Sequence, residues 1–544
     1  MDLKIPQTIE TDVLVLGSGA AGLRAAIEAR KFGVEVLLVS KSKIGLGNNT
    51  AISGSGIAAG TGWRVPTDSP ALHFKDTIIG GRYMSNQRLV EVLTQEIGPV
   101  VLELESFGVR FRKQGEIFHM ALMAGHTHPR NVFGDKAIGT DLTLPLRDYA
   151  MDKGIALRSG ILITGLLVKG NEATGAVGLD EAGGLYIFKA GSIVLASGGA
   201  GQIYLRTSNA ADSTGDGYVL AFEAGVPMVD MEFVQFSMSG PNTEMFCARE
   251  GAVIRNALGE NILEKYAISD PVKMTRDAVS RTIMLEIQAG RSEDGETLTL
   301  DTTTIDAARF EKLRVLLPKN TPADKRQFPI GLYAHFFMGG AKIDERTATG
   351  VDRLYAAGEV CGGVNGANRL GGNALAETFV FGKIAGQKAA QRARAEKKVP
   401  EAQKETSKEV DRLRAMASSD GGEEIKEIGL LLKTTLWNRA GIIRNEEGLQ
   451  TALVEIADLK ARFKRISVSS VQDLCDALRL ENKLKVSDMV VRSALLRTES
   501  RGAHYRSDYP EENNNLWLKN IEISKMDGPM SIRAVPADLS RMSP

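Results

Sequence analysis

The sequence predicts an α/β fold, on three observations. Residues 11–41 read as an apolar run, a glycine-rich turn, a helical stretch and a second apolar run. Two later apolar runs, ending near residues 196 and 356, each stop at glycine and bring the chain back to the same sheet. Residues 426–498 carry sustained helical amphipathicity. Together these imply a Rossmann-like dinucleotide-binding domain (1–232 and 346–400), an inserted α+β capping domain (233–345), a helical bundle (401–500) and a C-terminal tail (501–544).

The first unit carries the most chemistry. The strand Val13–Leu16 runs into Gly17-Ser18-Gly19-Ala20-Ala21-Gly22. In a G-x-G-x-x-G turn the first glycine permits the bend, the second admits a pyrophosphate close to the backbone, and the third lets helix and strand pack. The helix N-terminus offers unpaired N–H groups and the positive end of its dipole. An NAD site wants an acidic residue after the second strand to hold ribose hydroxyls. Ser40-Lys41 stand there, which favours FAD.

Small residues then dominate 45–60, a segment able to lie flat against a flavin. Asn48, Asn49, Thr50, Gly54, Ser55 and Gly56 are its cofactor candidates, with Ile52 and Ile57 as anchors. A helix is expected over 86–106, another over 141–153, and a β-meander over 155–190. His126 and Arg130, in A-G-H-T-H-P-R, suit either an anionic substrate or a polar loop; no third ligand makes a metal site. The strand Ile193–Ala196 leads into Ser197, Gly198 and Gly199. Asn209 and Asp216 follow, Asp216 standing either at a nucleotide hydroxyl or as a helix N-cap. Glu359 ends the strand near 356 and suits a ribose. Arg369, Asn373, Ala374 and Leu375 lie in a further glycine-rich loop before a helix that runs to about residue 394. Residues 395–425 read as a linker or solvated helix, 426–498 as a three- or four-helix bundle, and the tail is expected to pack back on the body.

Bulk properties exclude several classes. At 544 residues the chain needs about two to four domains. Lys+Arg and Asp+Glu are equal at 67 each, so nothing favours a nucleic-acid partner. No apolar run approaches the roughly 20 residues that span a bilayer, and the N-terminus is no signal peptide. A cytoplasmic protein is expected, membrane-associated only through a partner. Cys247, Cys361 and Cys475 are scattered and cannot hold an iron–sulfur cluster alone. One-electron carriers, if used, belong to another chain.

The ordered motifs V-L-G-S-G-A-A-G-L, A-S-G-G-A-G-Q-I-Y, N-A-A-D-S-T-G-D-G, T-R-D-A-V-S-R, H-F-F-M-G-G, L-Y-A-A-G-E-V, G-A-N-R-L-G-G-N-A-L and R-T-E-S-R-G-A-H-Y-R-S-D-Y-P run from residue 12 to about 510. This order resembles the flavoprotein subunits of the fumarate reductase/succinate dehydrogenase family, which includes L-aspartate oxidase. The resemblance implies FAD, a small carboxylic acid substrate under a capping domain, interconversion of C=C and CH–CH beside a carboxylate (fumarate/succinate foremost), and an iron–sulfur partner subunit. It assigns Arg276 to proton transfer, and His335 and Arg369 to a substrate carboxylate. An arginine acid needs a relay; Asp277, Glu244 or Glu250 would serve.

Two departures matter. Many relatives attach FAD through the histidine of an S-H-T segment; here Asn48-Asn49-Thr50 stands there, so FAD is expected to be non-covalent. The family's Q-F-H-P-T reads Gln235-Phe236-Ser237-Met238-Ser239, so the histidine that helps hold a second carboxylate is Ser237, with Arg249, Glu244 or His126 as substitutes. The alternatives are amine oxidation of the L-aspartate oxidase kind and an electron-transfer flavoprotein module of a larger complex acting on another substrate.

Overall fold

The computed structural model describes residues 3–239, 243–270, 274–314, 317, 321–526 and 530–544, and only the backbone of 244, 245 and 248. Its largest sheet has seven strands. The first six in chain order are β1 (Gln7–Leu16), β2 (Val36–Val39), β3 (Ala156–Arg158), β4 (Ile161–Lys169), β5 (Glu172–Asp180) and β6 (Leu185–Leu195). The spatial order is β3-β2-β1-β6-β5-β4, with the strand Leu354–Ala356 also pairing β6. β1, β2, β3, β6 and Leu354–Ala356 are parallel, whereas the β4–β5–β6 meander is antiparallel. Val13–Leu16 and Val36–Val39 are wholly buried, as strands covered on both faces must be. The carboxyl ends of the parallel strands therefore open on one crevice, where ligands bind in such sheets.

Three helices aim the site: α1 (Ala20–Arg30), α2 (Arg276–Gln288) and α3 (Asn373–Ala395). α1 can begin immediately after β1 because two glycines allow it. Gly17 has φ +116°, and a Cβ there would lie 2.2 Å from the carbonyl oxygen of Ala196, the residue after β6. A Cβ on Gly22 would lie 2.0 Å from the Gly17 carbonyl oxygen, so helix and turn touch backbone to backbone. α3 packs along α1 with a face of alanine, glycine and phenylalanine.

Residues 233–345 include two strands that matter most, β7 (Val234–Met238) and β8 (Leu332–Phe337), paired antiparallel with a register shift between Gln235 and Phe236. Ile425–Arg439, Glu446–Phe463 and Val471–Leu496 form a three-helix bundle. The charged stretch before it is the helix Gln403–Ala417, which buries Val410, Leu413 and Ala417 against the meander and the last bundle helix. The tail does pack back: Lys519–Ser524 pairs with Met228–Val229. Arg497, fully buried, reaches Glu232 at 2.7 Å and Glu499 at 3.1 Å and donates to the Lys519 carbonyl at 2.8 Å. That one guanidinium ties bundle, tail and the segment leading into β7 together.

Gly22→Ala tests the first turn. The added methyl cannot be accommodated without shifting α1, at a cost of about 1–3 kcal/mol. The variant should purify colourless and melt several degrees lower. A yellow variant with the parental melting temperature would contradict the packing described.

Candidate active site

The crevice continues into a channel through the molecule. One part is walled by Gly17–Ala21, Ser40, Lys41, Asn48, Ser197, Gly198 and Asp216. The other, a cavity of ≈ 360 Å³, is walled by Ile52, Gly54, Gly56, Asn131, Ser208, Asn209, Arg276, Tyr333, His335, Phe336, Arg369, Ala374 and Leu375. Both include Asn49, Thr50, Glu359 and Thr378, which makes them continuous.

The first part suits a dinucleotide. Gly19, the N-cap of α1, has no side chain to cap the helix, and the Thr50 hydroxyl accepts only from Ala20 N, at 3.2 Å, so the neighbouring N–H groups of this terminus can meet an anion. The Ser40 hydroxyl accepts from Ser18 at 2.9 Å. Lys41 lies 2.5 Å from Asp216, and Asn482 donates to the other Asp216 oxygen at 2.9 Å. Burial opposes ionisation of Asp216, but Lys41 and the donors around it hold its pKa below the ordinary value. Gly215, not Asp216, is the N-cap of the helix Asp216–Glu223.

At the junction, Asn49 donates to Asn209 at 3.1 Å and to Glu359 at 3.0 Å, while its oxygen accepts from Ala210 N at 2.9 Å. Burial raises the pKa of Glu359. Its carboxylate also accepts from Phe337 N at 3.1 Å, so it braces β8 from inside the channel it lines.

Behind the cavity wall, fully buried Gln235 joins two of its arginines. Its amide oxygen accepts from Arg276 Nη1 at 3.1 Å and from Arg369 Nη2 at 2.9 Å. Its amide nitrogen donates to Asn368 Oδ1 at 2.9 Å and the Arg369 carbonyl at 2.8 Å. Arg276 opens α2, and Arg369 lies 4.6 Å over the Phe336 ring. His335 Nδ1 is 2.8 Å from the Ser208 hydroxyl, and Asn209 donates to the His335 carbonyl at 2.7 Å. Burial first, then Arg276 and Arg369, push the His335 pKa well below its ordinary value. Two guanidinium groups and a neutral imidazole thus line one cavity, a set of donors that suits a carboxylate.

The candidates from the sequence divide. Gly22 is at the α1 packing contact, Ser55 is buried with its hydroxyl accepting from Gly134 N at 3.1 Å, and Gly199 backs the Glu359 side chain. Asn373 points into the core, where it meets His73 at 2.9 Å and Thr77 at 3.1 Å. None of these four is among the channel-lining residues. Ile52, expected as an anchor, is 57 % exposed on the cavity wall because no core residue covers it; Ile57 is buried. His126 is buried 2.8 Å from the Gly371 carbonyl, and Arg130 pairs with Asp68 and Asp76, so this loop props the Arg369 segment from behind instead of touching the cavity. Arg249 is exposed away from it. Glu250 is taken by Arg309 at 2.7 Å, which removes it as a relay, while the Glu244 side chain lies outside the described residues. Asp277 is buried beside Arg276.

Sequence reasoning missed Gln235, Ser208, Tyr333 and Asn131. Only Gln235 left a signal, an amide within the apolar run V-Q-F. Asn131 is fully buried, and neither amide atom has a hydrogen-bond partner among the described residues; the Ser197 hydroxyl is in the same condition. Each unmade bond of this kind costs about 1–3 kcal/mol, and both residues line the channel, so a bound polar group relieves them. FAD fits on these grounds: Gly17–Ala21 would hold its pyrophosphate, Ser40 and Lys41 its adenosine side, and Asn49, Thr50 and the α3 N-terminus its ring. Among the described residues no cluster of three His, Cys, Asp or Glu side chains is placed to hold a metal, and no helix is long and apolar enough to cross a membrane.

Two outcomes follow. Asn131→Ala should weaken FAD retention by about tenfold or more in a dialysis or fluorescence titration; unchanged retention would mean the amide meets no ligand. His335 has a folded pKa below its unfolded one, so as pH falls the unfolded chain takes up the proton first. Its contribution to stability is complete above about pH 6.5 and declines below it. NMR of labelled imidazoles should find no His335 titration between roughly pH 5.5 and 8; a transition near 6.5 would contradict the site's electrostatics.

Comparison with known proteins identifies the family. Residues 12–375 match the FAD binding domain family, and 430–544 match the fumarate reductase flavoprotein C-terminal family. A fumarate reductase (CoM/CoB) subunit of Methanothermobacter marburgensis is 35% identical over 96% of this chain and 98% of its own. The succinate dehydrogenase flavoprotein subunit of Rickettsia bellii is 30% identical over 98% of this chain and 96% of its own. The FrdA chain of E. coli quinol fumarate reductase superposes with a TM-score of 0.91 at 28% identity, covering 99% of this chain and 98% of that one. The chain belongs to the fumarate reductase/succinate dehydrogenase flavoprotein family and is an FAD-dependent oxidoreductase.

Proposed function

We propose that the chain interconverts a C=C bond and a CH–CH bond beside a carboxylate, with fumarate and succinate as the leading pair. The observation that carries this reading is the shared Gln235 oxygen, which aims Arg276 and Arg369 into one cavity beside His335. FAD, when bound, supplies hydride chemistry, non-covalently here because asparagine stands at position 49. Arg369 and His335 clamp one carboxylate of the substrate, each charge-assisted bond contributing about 1.5–3 kcal/mol. A hydroxyl proton from Ser208 on His335 Nδ1 leaves Nε2–H as the donor towards the substrate. Arg276 delivers a proton to the second carbon. Its position at the positive end of α2 eases loss of that proton, and Asp277 and Glu244 are the carboxylates that remain for reloading it.

Electrons pass to or from an iron–sulfur protein on another chain. The cysteines Cys247, Cys361 and Cys475 are separate and buried, and the relatives named above are subunits. The protein acts in the cytoplasm, at a membrane only through that partner.

The test is anaerobic. Bound flavin is reduced with dithionite, excess reductant removed, and fumarate added. Rapid return of flavin absorbance is expected, and Arg276→Ala should slow it by roughly 10²–10⁴-fold while staying yellow. Failure of fumarate to reoxidise the parent protein, or an unimpaired Arg276→Ala, would overturn the reading.

A further inference from the structure

Arg369 and His335 hold one end of the substrate. We propose that Tyr333 reads the other, its phenol donating a hydrogen bond to an oxygen of the far carboxyl group. The inference rests on the reading above, that an unsaturated acid is clamped by Arg369 and His335.

On β8 the rings of Tyr333 and His335 lie 6.1 Å apart at 45°. Both line the cavity with Arg276 and Arg369. Tyr333 is half-buried, as a wall residue is, and not enclosed in the core.

Across the two-stranded sheet Tyr333 pairs with Ser237. Paired residues of antiparallel strands point to the same face with Cβ atoms roughly 4.5–5.5 Å apart. A long side chain at 237 would compete with the tyrosine ring for this volume. Ser237 is 4 % exposed and is not among the residues lining the cavity. The polar contact at this end therefore comes from β8, not β7.

The chemistry differs from that of the clamped end. A phenol offers a single neutral donor, whereas the guanidinium groups supply charge. The near subsite selects an anion. The far subsite selects a hydrogen-bond acceptor, and a neutral ester or amide carbonyl satisfies it as a carboxylate does.

The experiment uses the FAD-loaded full chain and follows the flavin absorbance during titration with succinate and with butyrate, which differ only in the far carboxyl group. The parent protein should prefer succinate. Tyr333→Phe should weaken succinate about 10-fold or more, leave butyrate within about twofold, and keep the flavin content. Ser237→Ala should leave both ligands unchanged. If Tyr333→Phe binds succinate like the parent, or Ser237→Ala loses as much as Tyr333→Phe, the assignment of the far end is wrong. A parent protein that is reoxidised by fumarate while Tyr333→Phe is indistinguishable from it sinks only this inference. A parent that neither binds succinate nor reacts with fumarate sinks the functional reading with it.

Discussion

One carbonyl oxygen, that of the Gln235 side chain, accepts from two guanidinium groups that arrive from distant parts of the chain. The rest of the site depends on this contact. Arg276 comes from the first turn of α2 and Arg369 from the loop before α3, while Gln235 sits on β7. Two cations on one neutral acceptor repel each other, and an anion placed between them relieves that repulsion. Burial, and after it the same field, keeps His335 uncharged, so the imidazole is a donor and acceptor of hydrogen bonds and not a third cation.

The strand pair that carries Gln235 is also where the backbone departs from regularity. The register shift between Gln235 and Phe236 lets His335 and Phe336, neighbours in sequence, both face the cavity. Bulges of this sort re-aim side chains beside active sites. Glu359 links that device to the cofactor channel, because its carboxylate holds Phe337 N on one side and Asn49 on the other. A displaced flavin-side segment would be felt at His335 through two hydrogen bonds, from Asn49 to Asn209 and from Asn209 to the His335 carbonyl.

The nucleotide unit was legible because its chemistry is local. Gly17, Gly19 and Gly22 stand within six residues, and their spacing encodes a turn that must lie between strand and helix. Arg276, His335 and Arg369 were reachable only through their motifs. The contacts that unite them span 41 and 134 residues, and no periodicity records such a meeting. Asn131 and Tyr333 left no trace, since a polar residue on a short strand looks the same whether it faces solvent or a ligand. His126 misled for the opposite reason: a histidine near an arginine reads as an anion site, yet both are buried props, with burial and Arg130 pushing His126 down to about 3. Glu359 was placed at the right strand end, but its partners are protein groups, which residue type alone does not reveal.

The central claim is that Gln235 assembles the carboxylate site by holding both arginines. Succinate affinity should be measured by flavin difference spectroscopy in the parent protein and in Gln235→Met, which keeps side-chain length and removes the amide. The account predicts that Gln235→Met retains FAD and loses succinate binding by about two orders of magnitude, as expected when two charge-assisted contacts slacken together. Binding within a few-fold of the parent would mean that the arginines find their positions without Gln235, and would contradict it.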